Sequence, residues 1–420
     1  MEFSLWRHKS GEWVSHTLGI MSTVLAKVGP RPSGSPESRE TAGMLADEIR
    51  PYVNKVELES FKFARHPFLA FLKWQSSTYI LATAALFMGW PWAAAGLILV
   101  GAVVTVAQFV LYKEFLDPLY PKVEGINMIA TVEPDEEVKR QVVIGGHHDS
   151  AFVFRFLQWT PRLYPIHVLF ANVFIWLAIA AVPTWAILEL FGVTPFYDAV
   201  LPWIMVAGIP IVGSLWFLVS KDVTPGAGDN LVASAGLIAL AKALAEHREQ
   251  GHFKLRNTRV IFASFDGEES GLRGSRAYVK RHLEGLTSVP TELFNIDSVY
   301  EVDDLRFIVK DINGTMPLSK SMGRECVAMA QKLGFTSSIL SMPLGSGATD
   351  AGEFARFGIP STTLIAMSSK AIPPKGFPYH ALRDTMEVVK PEAVRAMLEV
   401  TWAMLVSREA PAAVEPAKGN

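Results

Sequence analysis

The chain has 420 residues, with 39 basic and 41 acidic side chains, a formal net charge of -2 and one cysteine, Cys326. Balanced charge removes the electrostatic reason to expect nucleic acid as a partner. A single cysteine excludes an internal disulfide and a cysteine-based zinc site and fits a reducing compartment, so any metal must be held by His, Asp and Glu.

The first residues, MEFSLWRHKSGEW, carry charges but no apolar core, unlike a secretory signal. From Trp13 to Lys27 the apolar spacing is helical. The loop GPRPSGSPESRE, from Gly29 to Glu40, leads into a second helix reaching about Tyr52, with Ser38 as its expected cap. Val56 to Phe63 alternates apolar and polar residues, the pattern of an edge strand. Phe68 to Gly89 and Trp92 to Tyr112 are then nearly continuous apolar stretches parted by Gly89-Trp90-Pro91. Each approaches the roughly 20 residues that cross a bilayer, and together they read as a transmembrane hairpin. Lys73 and Gln75 weaken its first member.

Ile126 to Val132 and Gln141 to Gly146 read as strands joined by the charged turn EPDEEVKR, the second ending in GGHHDSA. A second apolar block follows, Tyr164 to Phe191 and Asp198 to Ser220. Its internal prolines (Pro183, Pro202, Pro210) are tolerable in a membrane bundle and disruptive in a soluble helix. The bland alternative for both blocks is a pair of buried hairpins or a dimerisation surface. Soluble character returns at Thr224, where TPGAGDN opens a helix to about Glu246. Val260 to Phe265 is a short β-branched and aromatic run, the mark of a buried parallel strand, and it leads into the adjacent acids Glu268 and Glu269. Leu293 to Ile296 is a strand ending at Asp297. Leu305 to Val309 and Thr362 to Met367 are further strands, Ser319 to Leu333 and Pro391 to Val406 helices. The Ala/Pro-rich residues 409–420 read as a disordered tail.

Five metal-competent residues sit at strand ends or in adjoining loops: His147, Asp229, Glu269, Asp297 and His380. In open α/β sheets the carboxyl ends of the strands are where loops diverge and sites are built. Paired acids repel unless a cation or a proton relieves them, so one of Glu268 and Glu269 suits ligation and the other proton transfer. His147 and Asp149 are two apart and share a face on an extended strand, which makes Asp149 a candidate to orient the imidazole. Asp384, in HALRDT, is a candidate to orient His380 or to cap a helix.

The order HxD, Asp in a Gly/Asn turn, EExGLxGS, NxD, and YH followed by DT resembles the aminopeptidase Y and aminopeptidase S family of di-zinc exopeptidases, clan MH metallopeptidases. The resemblance extends to the GPRPSGS loop and to Thr349 to Pro360, but not to the apolar blocks. It implies a three-layer α/β/α fold with a mixed, mostly parallel sheet. It also implies Asp229 as a carboxylate bridging two zinc ions, His147 and Asp297 completing one site, Glu269 and His380 the other, and Glu268 as general base. Manganese or cobalt would suit the same donors. The related family of carboxypeptidase G-type enzymes carries a long dimerisation domain for which the intervals here are too short. Glutaminyl cyclases share the fold with fewer ligands.

The expected protein is a membrane-integral exopeptidase removing N-terminal residues from peptides. Residues 1–66, 114–163 and 221–408 form a discontinuous catalytic domain, and 67–113 and 164–220 are inserted hairpins giving a four-span bundle. Lys55, Lys62, Arg65, Lys113, Lys122, Arg155, Arg162 and Lys221 flank the spans on the catalytic side, while the connections lack Lys and Arg, which places the catalytic domain on the cytoplasmic face. The alternatives are a catalytically silent membrane scaffold or receptor, and a carboxypeptidase or dipeptidase of the same fold. The hairpins either anchor the enzyme or deliver substrate from the bilayer.

Overall fold

The structure, a computed structural model, describes residues 7–193, 195–303, 305–368 and 376–409. A nine-stranded mixed sheet forms its middle layer, in the order β1 (Lys55–Ala64), β2 (Lys122–Val132), β6 (Thr258–Phe265), β3 (Arg140–His147), β7 (Thr291–Val299), β11 (Ser361–Ala366), β8 (Leu305–Asp311), β10 (Ser337–Ser341), with β9 (Met316–Pro317) beside β8. The central strands β6, β3, β7 and β11 are parallel, β1 and β2 antiparallel at one edge. This is the expected three-layer α/β arrangement.

Strand residues alternate between the two faces, as the pleat requires. Val142, Ile144, Val260, Phe262, Phe294 and Ile296 face helices α1 (Ser10–Lys27), α2 (Pro36–Ile49), α7 (Val232–Glu249) and α10 (Pro391–Ser407). Val143, Ile261, Ala263 and Leu293 face α8 (Arg273–Thr287) and the short helix Ala351–Arg356. Of the outer helices, α9 (Lys320–Lys332) is capped by Ser319, whose hydroxyl accepts the Met322 N–H. The expected cap of α2 is corrected: Ser35, not Ser38, holds the position, accepting the N–H of Ser38 at 3.0 Å with Pro36 just inside. Ser38 is buried in the first turn. Glu409 accepts the Thr258 N–H at 2.8 Å and so closes onto β6; the rest of the expected tail, 410–420, lies outside the described residues.

The apolar blocks form four helices, α3 (Pro67–Phe87), α4 (Pro91–Val104, prolonged to Val110), α5 (Tyr164–Glu189) and α6 (Pro195–Ser214). All four contribute to one separate apolar core, including Tyr79, Ala82, Ala94, Ile98, Ala178, Val182, Trp185 and Met205. Among the described residues, the stretches long and apolar enough to cross a membrane are Pro91–Val110, Tyr164–Glu189, Tyr197–Phe217 and Ala227–Glu249. The set departs from the expected four spans at both ends. α3 falls short because the polar run from Lys73 to Tyr79 lowers its hydropathy; Lys73 is exposed, but Ser76 donates to the Val212 carbonyl, Tyr79 to that of Met205, and Gln75 accepts from Thr105 inside the bundle. Such bonds between helices are favourable where no water competes. α7 qualifies because it is the inner helix of the α/β core.

The chain leaves and re-enters the sheet at one edge. β1 is antiparallel to β2, and β2 to β6, so the carboxyl ends of β1, β6, β3 and β7 coincide. The α3–α4 hairpin departs after Ala64 and returns into Lys122, its register partner. The α5–α6 hairpin is closed at its base by two antiparallel strands, β4 (Phe152–Phe154) and β5 (Val219–Val223), just beyond the end of β3.

Candidate metal centre

His147 ends β3 and Asp297 lies two residues before the end of β7, at that same carboxyl edge. Asp229 comes from the turn Ala227–Leu231 that opens α7, and Glu268 and Glu269 from the loop between β6 and α8. His380 follows β11 on a loop, with φ of 52°.

These side chains converge. His147 Nε2 lies 3.3 Å from Asp229 Oδ1, 3.9 Å from Asp297 Oδ1 and 3.9 Å from Glu268 Oε2. The other Asp229 oxygen, Oδ2, lies 3.9 Å from His380 Nε2, which is itself 3.5 Å from Glu269 Oε2. One carboxylate thus stands between two histidines, and each histidine has a further acid of its own. Donor atoms of His147, Asp229 and Glu269 fall within 4.8 Å of one another, as do those of His147, Glu268 and Asp297.

The polar chemistry fits a bound cation. His147 Nδ1 faces the Asp149 carbonyl at 3.2 Å, an atom that can only accept, so in the neutral ring the proton sits on Nδ1 and Nε2 carries the lone pair. That lone pair points into carboxylates and has no hydrogen-bond partner; Glu269 Oε1 is buried without a partner as well. Without a cation Glu268 and Glu269 are held from ionising. Burial, with Asp297 and Glu269 adding to it and His147 opposing, pushes Glu268 well above the usual carboxylate range, and burial beside Asp229 does the same to Glu269. Burial works against charge on His147, yet Glu268, Asp149, Asp229 and Asp297 together raise it well above the usual imidazole value. A divalent ion would relieve each of these stresses at once.

The supporting residues explain the placement. Asp149 is fully buried. Its carboxylate faces His147 Nδ1 at 3.4 Å, and it accepts the Ser33 hydroxyl at 2.6 Å and the backbone N–H groups of Glu268 and Glu269 at 3.3 and 3.2 Å. It therefore aims the paired acids as well as the imidazole. Asp384 is reassigned: it neither orients His380 nor caps a helix, but accepts the N–H groups of Gly228 and Asp229 at 2.8 and 3.3 Å, fixing the turn that presents Asp229. Burial, reinforced by Asp229, lifts its pKa to about 7. Asn230 ties the same turn to the Ile296 carbonyl of β7.

Two residues went unnoticed in the sequence, Ser33 and Arg31. Arg31 is fully buried and donates to the carbonyls of Gly29, His148, Pro225 and Gly226, joining the GPRPSGS loop, the end of β3 and the Asp229 turn. Gly226 (φ 62°) admits this approach, since a Cβ there would lie 2.9 Å from the guanidinium and 2.5 Å from Ser150. The signals for Ser33 and Arg31 were the resemblance of the GPRPSGS loop and an arginine set between two prolines in it. His148 turns away as its strand position requires and bonds to Ser264 at 2.9 Å; burial lowers its pKa to about 3. A cavity of about 800 Å³ lined by Arg140, Glu292 and Arg408 lies at the opposite, amino end of the strands and contains none of these residues.

Residues 216–405 match the family profile of Peptidase family M28. No curated protein matches the chain in sequence. Among solved structures, the chain is similar to the aminopeptidase from Aneurinibacillus sp. (15% identity, 98% of each chain covered, TM-score 0.55). It is also similar to a Zn-dependent exopeptidase from Parabacteroides distasonis (12%, 94% of this chain and 98% of that one, TM-score 0.54) and to the glutaminyl cyclase of Porphyromonas gingivalis (14%, 94% and 98%, TM-score 0.56). At these identities the likeness establishes the fold, which is that of the zinc-dependent exopeptidases.

Proposed function

We propose that this protein is a membrane-integral di-zinc aminopeptidase of the aminopeptidase Y and S type, removing N-terminal residues from peptides. The observation that carries the reading is the position of Asp229, one oxygen toward His147 and the other toward His380. In this reading His147, Asp229 and Asp297 hold one ion, and His380, Asp229 and Glu269 the other. The mixed His and carboxylate donors suit zinc, with manganese or cobalt as substitutes. When bound, such a pair supplies a Lewis acid for the scissile carbonyl and lowers the pKa of a water.

The chain's own residues do the rest. Glu268 takes the proton of the attacking water on its carboxylate and returns it to the leaving amine. Asp149 keeps the His147 proton on Nδ1 and, through two peptide N–H groups, holds Glu268 and Glu269 in their relative places. Asp384 fixes the Asp229 turn. The apolar helices α4, α5 and α6, together with α3 packed among them, are read as an integral bundle, with residues 1–66, 114–163 and 221–408 as the catalytic domain on the cytoplasmic side, where the basic residues cluster.

Purified full-length protein in detergent, assayed on aminoacyl reporters and on the same reporters with the amine acetylated, tests this. The expected result is release from free-amine substrates only, loss on chelation with recovery on zinc, and a fall of about 10²- to 10⁴-fold for Glu268→Gln. Metal binding without turnover on a broad peptide panel would favour the silent scaffold, and cleavage from the carboxyl end would favour a carboxypeptidase.

A further inference from the structure

The hairpins and the candidate centre occupy the same edge of the sheet, and they touch. Phe68, in the first turn of α3, packs with Tyr112, Leu272 and Ile312. Gly271 (φ 94°) comes so close that a Cβ there would meet the Phe68 ring at 2.8 Å. The loop bearing Glu268 and Glu269 thus rests on the base of the first hairpin. Arg276 reinforces that contact, donating to the Tyr112 carbonyl at 2.5 Å and pairing with Glu114 and Glu353.

The second hairpin meets the other half of the centre. Phe154 of β4 donates its N–H to the His380 carbonyl at 2.9 Å, and its ring lies 4.3 Å from the imidazole. Leu382 donates its N–H to Gln158, and Arg383 reaches the Leu157 carbonyl. Each hairpin base therefore supports a loop that carries a ligand candidate, the first the loop of Glu269 and the second the loop of His380.

Around these bases the surface changes character. Phe115, Leu119, Trp159, Leu163, Trp216 and Phe217 are 42 to 69% exposed, and the exposed Lys113, Lys122, Arg162 and Lys221 are their near neighbours in sequence, outnumbering the exposed acids Glu114 and Asp222. A large apolar collar facing water is unfavourable. Aromatic rings interleaved with basic side chains match the layer where acyl chains meet anionic headgroups.

We propose, on the basis of the peptidase reading above, that the substrate is a membrane-resident peptide. Its free amino end lies in the interfacial layer and enters between the two hairpin bases, while its apolar remainder stays in the bilayer. The topology gives such a chain the short route: both hairpins leave from the carboxyl edge of the sheet, so that edge faces the membrane and a segment in the bilayer is already beside Glu268. Confinement to the same membrane raises the effective concentration of the amino end over that of a free peptide.

The test uses the full chain reconstituted with zinc in vesicles of phosphatidylcholine and phosphatidylglycerol. Two substrates share one N-terminal sequence, a short soluble peptide and the same peptide extended by an apolar membrane-spanning segment. The expected result is an apparent kcat/KM at least about tenfold higher for the anchored substrate. The preference should fall toward one in the double variant Trp159→Glu, Leu163→Glu, read as the ratio of the two rates so that a general loss of activity cancels. Equal rates on the two substrates, or a faster rate on the soluble one, overturn the inference and leave the peptidase reading standing. Cleavage of neither, with zinc bound, overturns both.

Discussion

Helices α5 and α7 are alike in composition and opposite in setting. Both belong to stretches long and apolar enough to cross a bilayer, with mean hydropathy of 2.1 for Tyr164–Glu189 and 1.2 for Ala227–Glu249. Yet 17% of the α5 window is buried inside the protein, against 94% of the α7 window. From Val232 to Ala241 α7 is buried at every position because it lies between the sheet and the helices α1, α2 and α10, and a helix segment enclosed all round needs no polar face. α5 leaves Ile166, Leu169, Phe170, Val173 and Trp176 exposed, as a helix solvated by lipid would. α3 makes the converse point: of the polar side chains that lower its hydropathy, Gln75, Ser76 and Tyr79 are bonded inside the bundle. Hydropathy ranks helices by side-chain type, whereas membrane insertion depends on which of those side chains face outward.

That contrast breaks most sharply under matched substitutions. Leu240→Asp, at a fully buried position of α7, places an unpaired charge in the core and is expected to cost more than about 4 kcal/mol, seen as loss of a cooperative melt and of turnover. Val173→Asp, exposed on α5, is expected to leave the melt of the detergent-solubilised protein within about 0.5 kcal/mol. Its effect should instead appear as reduced membrane retention on alkaline extraction, an insertion penalty of about 2.5 to 3.5 kcal/mol at mid-helix. A destabilised melt in Val173→Asp with membrane retention unchanged would reverse the roles assigned to the two helices.

A smaller effect separates the centre from its scaffold. Asp149→Asn keeps the shape but weakens the hold on His147 and on the Glu268 and Glu269 peptides, and zinc affinity or turnover is expected to fall about 10- to 100-fold. Equilibrium dialysis with zinc checks it, and an unchanged affinity together with an unchanged rate would remove Asp149 from the centre. Smallest is Ser35→Ala, which strips the α2 cap while leaving the Ser33 hydroxyl on Asp149 in place. A loss of about 1 kcal/mol in thermal or denaturant unfolding is expected, with kcat/KM unaffected.

Much of the candidate centre was legible because its parts lie at places that local patterns mark. His147, Asp297, Glu268 and Glu269 follow apolar strand runs, and Asp229 stands in a glycine turn before a helix; strand and turn patterns reach over only a few residues and suffice for these. The partners of Asp384 and Arg31 were not legible. The bonds they make, from Asp384 to the peptides of Gly228 and Asp229 and from Arg31 to four carbonyls on three segments, are long-range contacts that no local spacing encodes. The α2 cap was misplaced by three residues for a different reason, since Ser35 and Ser38 are equivalent candidates until the first helical turn is seen to begin at Pro36.

From the sequence alone came the α/β class, the strands that end in acids and histidines, and the existence of two apolar insertions, because periodicity, β-branching and hydropathy are properties of short windows. Only the folded chain decided that β6 lies between β2 and β3, and that both hairpins rise from the edge where His147 and His380 meet across Asp229. Those relations depend on which distant segments become neighbours, and that is set by burying the two faces of one sheet together.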